Sequence, residues 1–240
     1  MIVVVAGRFD RVAADLVLDW AAHGAAILGP EDVSRRGWRH DVHTPDDGVA
    51  VVEGQPIAVS AIDAVIVRRP AIFEHELLGI VPADRQYVAA EATAFLIAWL
   101  ASRKCPVFNR ATATSLSGPN FRPEQWVRLA WTIGIPASAV ARHVPAQEAV
   151  AQAPRRVPVA VTVVDDRCLG EVDASLHEAA RCLARASGMT LCDFLFDGPD
   201  GDAKFLTANP WPDLSRAEVR EALLESVDRH RVHRKALAWV

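Results

Sequence analysis

Asp193, Thr207 and Asn209 are the residues whose types and spacing could hold a ligand. Asp193 lies in a short apolar run, 192–196, followed by the turn sequence Gly198-Pro199-Asp200-Gly201. A second run, 204–208, ends in Asn209-Pro210-Trp211-Pro212. Two such runs around a Gly/Pro turn fold back as a hairpin. Asp193, near the start of one strand, then lands beside Thr207 and Asn209, near the end of the other. An acid and an amide oxygen converging on one spot suit a hard divalent cation carrying phosphates, because Mg²⁺ takes oxygen ligands. A lone Asp beside a Gly-rich turn more often caps that turn, so residue types alone do not establish a site.

A second group of polar residues follows buried strands. The run 64–67 reads as a strand and leads directly into Arg68-Arg69-Pro70, while 105–108 leads into Asn109-Arg110. In an open α/β sheet, ligands sit at the carboxyl ends of strands. Guanidinium groups there can grip carboxylate or phosphate through two parallel hydrogen bonds, or can be solvated or paired with a nearby Glu. Between these strands, residues 84–102 are apolar around most of the helical circumference and predict a largely buried helix. Tyr87 and Glu91 share one of its faces. A buried Glu91 needs a partner, and Arg68 or Arg69 is the expected one.

The elements that must position these groups read as follows. Residues 2–6 form a β-branched run, 8–23 an amphipathic helix, and 25–28 a second strand, the βαβ start of a parallel sheet. The first turn is Gly-Arg-Phe-Asp, so a dinucleotide fingerprint is absent. Residues 49–52 read as a short hairpin strand. A helix over 122–133 carries Pro123 in its first turn and closes at Gly134. Residues 157–164 and 168–172 read as a hairpin about Asp165-Asp166, followed by a helix over 175–187. Ser215 and Glu218 form a capping-box pattern before a terminal helix, whose basic stretch 229–235 reads as a solvated face.

Composition narrows the function classes. The 240 residues carry a formal net charge of −4 with 51% hydrophobic and 23% charged residues, so no basic field attracts nucleic acid. The N-terminal MIVVVAG is too short for a signal-peptide core, and no apolar run approaches a membrane span, which implies a cytoplasmic protein with no membrane partner. The four cysteines (105, 168, 182, 192) show no C-x-x-C pair and read as small buried hydrophobes. His40 and His43 form an H-x-x-H in a polar loop, where solvated surface is the expectation.

The terminal hairpin resembles the closing motif of ATP-grasp ligases, in which Asp, Glu and Asn supply the magnesium ligands. Asp193 and Asn209 match the first and last of these, and Thr207 stands where Glu is expected. RRP at 68–70, the Tyr87/Glu91 helix, FNR at 108–110 and RPEQWVRLAWTIGIP at 122–136 follow, in order, the corresponding region of the microviridin-type macrocyclases and RimK-like peptide-modifying ligases. Arg122 replaces the usual Lys of the last segment and Gln125 is kept. Family relatives place next a β-rich lid with a phosphate-binding Lys and a Gly-rich flap. Here no Lys occurs between Lys104 and Lys204, and no Gly between Gly134 and Gly170.

The resemblance thus implies an α/β chain: a pre-ATP-grasp open-sheet domain, residues 1–120, followed by a reduced α+β ATP-grasp domain, residues 121–240, without the lid. It implies nucleotide contacts at Arg122 and Gln125, substrate contacts at Arg68, Arg69, Tyr87, Glu91, Asn109 and Arg110, and metal ligands Asp193 and Asn209. Loss of the Glu at 207, of the Lys at 122 and of the lid removes metal charge, phosphate contacts and water exclusion, on which phosphoryl transfer depends. The expectation is a degenerate, non-catalytic binding or scaffold protein, without bound cofactor, for a peptide or carboxylate-bearing partner, with self-association or a protein partner covering the surface a lid would cover. The alternative is an active carboxylate-amine or ester-forming ligase using ATP and Mg²⁺ in a compact grasp domain.

Overall fold

The structure, a computed structural model, describes residues 1–140 and 157–237, with side chains as far as 232. Residues 141–156, most of the segment where family relatives place a lid, lie outside the described residues, as do the side chains at the far end of the basic stretch 229–235. The chain packs as two units, one built from residues 1–120 together with the segment from 213 onward, the other from 121–212. Residues 213 onward therefore go with the first unit in packing, a placement that a simple 121–240 division lacks.

In the first unit, Ile2–Val5 (β1) is fully buried and starts a parallel sheet. Arg11–Asp19 (α1) begins at Asp10, whose Oδ1 accepts from the Ala13 N–H at 3.0 Å. The chain then reverses at Gly24, φ 68°, into Ala25–Leu28 (β2). A short helix, Pro30–Val33 (α2), and a hairpin of Val49–Val52 (β3) with Gln55–Ala58 (β4) precede Ala64–Val67 (β5), Arg85–Ala101 (α3) and the two-residue strand Val107–Phe108 (β6). The sheet order is β2-β1-β5-β6, all parallel, with Val5 opposite both Leu28 and Val67. Strands this short hold because apolar side chains cover both faces. Val3, Val5, Val65 and Val67 pack with Leu96, Trp99 and Leu100 of α3 and with Ala50 and Val52 of the hairpin.

Asp32 in α2 fastens this arrangement. Its buried carboxylate accepts from the backbone N–H groups of Gly29 (3.0 Å), Glu53 (3.2 Å) and Gly54 (2.8 Å), tying α2 to the β3–β4 turn. α3 departs from the buried helix its composition predicts. Ala90, Ala94 and Ala98 are exposed, and so is Glu91. Alanine is apolar by type but too small to force burial, so a helix that reads apolar all round keeps one small-residue face in solvent.

The terminal helix, Ala217–Leu237, returns to the first unit through the ion pairs Arg220–Asp19 and Arg231–Asp63. The expected capping box does not form. The backbone N–H of Ser215 donates to Asp213 (2.9 Å), and Glu218 pairs with Arg216 (2.7 Å). Arg231, expected in solvent, is three-quarters buried in its pair with Asp63.

The second unit sets Pro123–Thr132 (α4) and Ala174–Ser187 (α5) on one face of an antiparallel sheet. The strands are Val159–Val164 (β7), Arg167–Leu169 (β8), Leu191–Phe196 (β9) and Phe205–Asn209 (β10), in the order β10-β9-β7-β8. Asp165 takes φ 57° in the β7–β8 turn, and Gly188 takes φ 72° to end α5. Alternation sends Val161, Val163, Phe194, Phe196 and Phe205 inward against Trp126, Leu176 and Leu183. Edge-on ring contacts of 5.9 Å, Trp126–Phe194 and Phe196–Phe205, fix the packing. The same alternation leaves Thr162, Asp193 and Leu195 on the other face.

Candidate functional site

The register of the second sheet builds a transverse polar row. Asn209 pairs with Asp193, and Asp193 in turn with Thr162, so three strands deliver one polar side chain each to the face away from the helices. Thr207, opposite Leu195, stands one side-chain step along the same face. Asp193 and Asn209 are thus brought together as their hairpin predicts. The fully buried Thr162 hydroxyl donates to Asp193 Oδ1 at 2.6 Å. Asn209 is turned on itself: its Oδ1 accepts from the Trp211 N–H (3.1 Å) and its Nδ2 donates to the Trp211 carbonyl (3.0 Å). Underneath, burial and then the adjacent Asp193 carboxylate push the Cys192 thiol well above its ordinary range.

As a donor set for Mg²⁺ the row offers one carboxylate, one hydroxyl and one amide oxygen already engaged in a turn. A carboxylate at 207 would double the negative charge. Mg²⁺ gives up hydration water reluctantly and is held through carboxylates together with phosphates, and with a hydroxyl at 207 the row brings a single negative charge. Among the described residues, no three His, Cys, Asp or Glu side chains gather as a metal-binding group.

At the carboxyl end of the first sheet the arginines have internal partners. Arg68 Nε donates to Asp10 Oδ2 at 2.8 Å. Arg69, 4% exposed, donates to the carbonyls of Ala71 (2.8 Å) and Ala6 (3.2 Å) and pairs with Glu76. The expected pairing of an arginine with Glu91 is therefore corrected: Asp10 and Glu76 take that role, because the short helices around them, not α3, meet the strand ends. Asn109 is fully buried at the end of β6, and Arg110 is exposed. Close by, the Ser215 hydroxyl and N–H hold the Asp213 carboxyl below its usual range, with the charges of Arg216 and Arg68 adding to the effect.

The remaining predicted residues separate into two places. Arg122 and Gln125 are both exposed at the start of α4, where Gln125 Oε1 accepts from the Arg122 N–H at 2.8 Å and so caps the helix. Tyr87 and Glu91 open onto a groove between α2 and α3. His40, expected in solvent, is half-buried with its ring 6.2 Å from that of Phe95; burial, and then the charge of Arg103, lower its pKa, while His43 is exposed.

Sequence reasoning passed over Thr162, Asp10, Asp32 and Glu76. A hydroxyl inside the run Val159–Val164 was the available signal for Thr162, and an Asp just before a helical period was the one for Asp10. Glu76 had none, since only the fold brings its loop to Arg69.

No protein-family model matches the sequence, and no curated protein matches it. Solved structures do match over nearly the whole chain. The ATP-grasp ligase PsnB, in complex with a minimal precursor, Mg and ADP, superposes with a TM-score of 0.66 at 14% identity, over 95% of this chain and 98% of that one. The macrocyclase MdnC from Microcystis aeruginosa MRC, bound with precursor peptide MdnA, gives 0.66 at 13% identity over 95% and 99%. A RimK domain ATP-grasp protein from Sphaerobacter thermophilus DSM 20745 gives 0.50 at 16% over 93% and 97%. With its parallel first sheet, its antiparallel second sheet and its terminal hairpin, the chain shares the fold of the ATP-grasp ligase PsnB and the macrocyclase MdnC.

Proposed function

We propose that this protein uses the ATP-grasp fold to bind a peptide or carboxylate-bearing partner and does not turn over ATP. The observation that carries this reading is the composition of the Thr162–Asp193–Asn209 row: a single carboxylate, with Thr207 in the neighbouring position and Asn209 closed on its own turn. Two further features support it. Gln125 is used as a helix cap, and Arg69 is used as a buried structural cation. Partner contacts then fall to residues that face solvent, chiefly Tyr87 and Glu91, with Arg110 at the end of β6. The peptide class of partner is carried over from PsnB and MdnC, whose structures contain precursor peptides.

Calorimetry with Mg-ATP tests the proposal. The expected result is no metal-dependent binding at micromolar concentration, and identical titrations for the wild type and Asp193→Asn. Micromolar binding that needs Mg²⁺ and disappears in Asp193→Asn would establish the ligase reading instead. Asp193 and Asn209 would then hold the metal, Arg122 and Gln125 would contact nucleotide, and a carboxylate would be joined to an amine or hydroxyl. PsnB, solved with Mg and ADP on the same fold, is what keeps that second reading in play.

A further inference from the structure

We infer that the groove between α2 and α3 is a docking site for a peptide segment that presents a large apolar side chain next to a basic residue. The groove encloses about 360 Å³, within the range of roughly 300–1,000 Å³ typical of ligand pockets. Its apolar walls include Val33, Trp38, Leu77, Val88 and Phe95. The floor is fixed in advance of any ligand. Trp38 Nε1 donates to the Asp32 carbonyl at 2.8 Å, and the Trp38 ring meets Phe95 and Trp99 edge-on at 5.0 and 5.6 Å. An apolar side chain entering here displaces water without ordering a mobile wall, which lowers the entropic cost of binding.

The rim sets the charge of the partner. Glu91 and Tyr87, one turn apart on α3, are both exposed, and neither has a hydrogen-bond or ion-pair partner among the described residues. Arg35, the cation at the same mouth, lies 4.0 Å from the Asp32 carboxylate. Glu91 is therefore the uncompensated charge beside the apolar floor, and a Lys or Arg ammonium or guanidinium complements it, with the exposed Tyr87 ring available to stack on the cation. This assignment rests on the reading of the protein as a peptide binder and specifies the chemistry that its Tyr87/Glu91 surface selects.

Titration of the ¹⁵N-labelled full chain, followed by NMR, tests it with three probes: N-acetyl-Phe-Lys-amide, N-acetyl-Phe-Glu-amide and 3-phenylpropylamine. The expected result is that the Lys dipeptide shifts resonances of residues 30–38 and 87–95. It should bind about fivefold tighter than the Glu dipeptide, the ratio that an exposed ion pair of about 1 kcal/mol supplies. Glu91→Lys should invert that preference, and Glu91→Gln should abolish it, with the thermal melt unchanged because the side chain is exposed. Shifts located elsewhere, no shifts at millimolar probe, or a preference indifferent to Glu91 would overturn the proposal. Equal binding of 3-phenylpropylamine and the Lys dipeptide would overturn the peptide assignment in favour of a free amine. Mg-ATP calorimetry tests the non-catalytic role separately: Mg²⁺-dependent nucleotide binding lost in Asp193→Asn, with an intact dipeptide response, would remove that role and leave the groove standing.

Discussion

Replacing Arg69 distinguishes a substrate-gripping arginine from a structural one. Its guanidinium is 4% exposed and the paired Glu76 carboxylate 10%. It donates to two backbone carbonyls, Ala71 at 2.8 Å and Ala6 at 3.2 Å, besides the ion pair. Arg69→Ala leaves a buried carboxylate without its counter-ion and two carbonyls without their donor. Removing one partner of such a pair costs about 3–5 kcal/mol. With a urea m-value of about 2 kcal/mol per molar, the unfolding midpoint should fall by roughly 1.5–2.5 M. The double variant Arg69→Met/Glu76→Leu should recover most of that loss, since apolar residues of similar volume replace a buried pair with little penalty. Equilibrium urea unfolding followed by far-UV circular dichroism measures all three. A loss below about 0.5 kcal/mol for Arg69→Ala, the level of an ordinary surface substitution, would refute the reasoning and return Arg69 to the pool of ligand-binding residues.

Gln125→Ala should lower stability by about 0.5–1 kcal/mol, seen as a drop of a few degrees in thermal melting, because the Arg122 N–H loses its acceptor; any larger effect confined to nucleotide binding would show that Gln125 contacts ATP instead. Iodoacetamide at pH 8 should modify the half-buried Cys182 faster than Cys192 in the native chain, since burial and then Glu178 raise the Cys182 thiol while burial encloses Cys192 and raises its thiol well above the ordinary value; peptide mapping reads the two sites. The same shift makes stability fall as pH rises above about 9, where the unfolded chain releases thiol protons that the folded one retains. His40, whose folded pKa is lowered by burial and then by Arg103, binds its proton more readily in the unfolded chain, so stability should decline as pH drops below about 6.5; His40→Asn should flatten the slope between pH 7 and 5.5 in urea titrations, and an unchanged slope would place the cause elsewhere.

The element boundaries agree closely with the periodicity of the chain. β1, β2, β5 and the hairpins β7–β8 and β9–β10 lie, within a few residues, on the runs their β-branched and turn residues mark, and the pairing of Asp193 with Asn209 follows from the turn at 198–201. These are local features, set by neighbours a few residues away, so the sequence carries them openly. The lid expectation concerns residues outside those described, and the ligase or scaffold choice rests on the proposals above.

What the sequence alone determined is most of the strands and helices, the hairpin that faces Asp193 with Asn209, and the presence of a hydroxyl, not a carboxylate, at Thr207. Tertiary structure decided how the charges are used. Arg68 and Arg69 read as ligand grips or as partners of Glu91 until the fold brings Asp10 and Glu76 against them, and Glu91 reads as buried until the alanine face of α3 turns it to solvent. Periodicity reports which side of an element is apolar. It is silent on which distant residue arrives opposite a charge, because that depends on how strands far apart in the chain are ordered in the sheet.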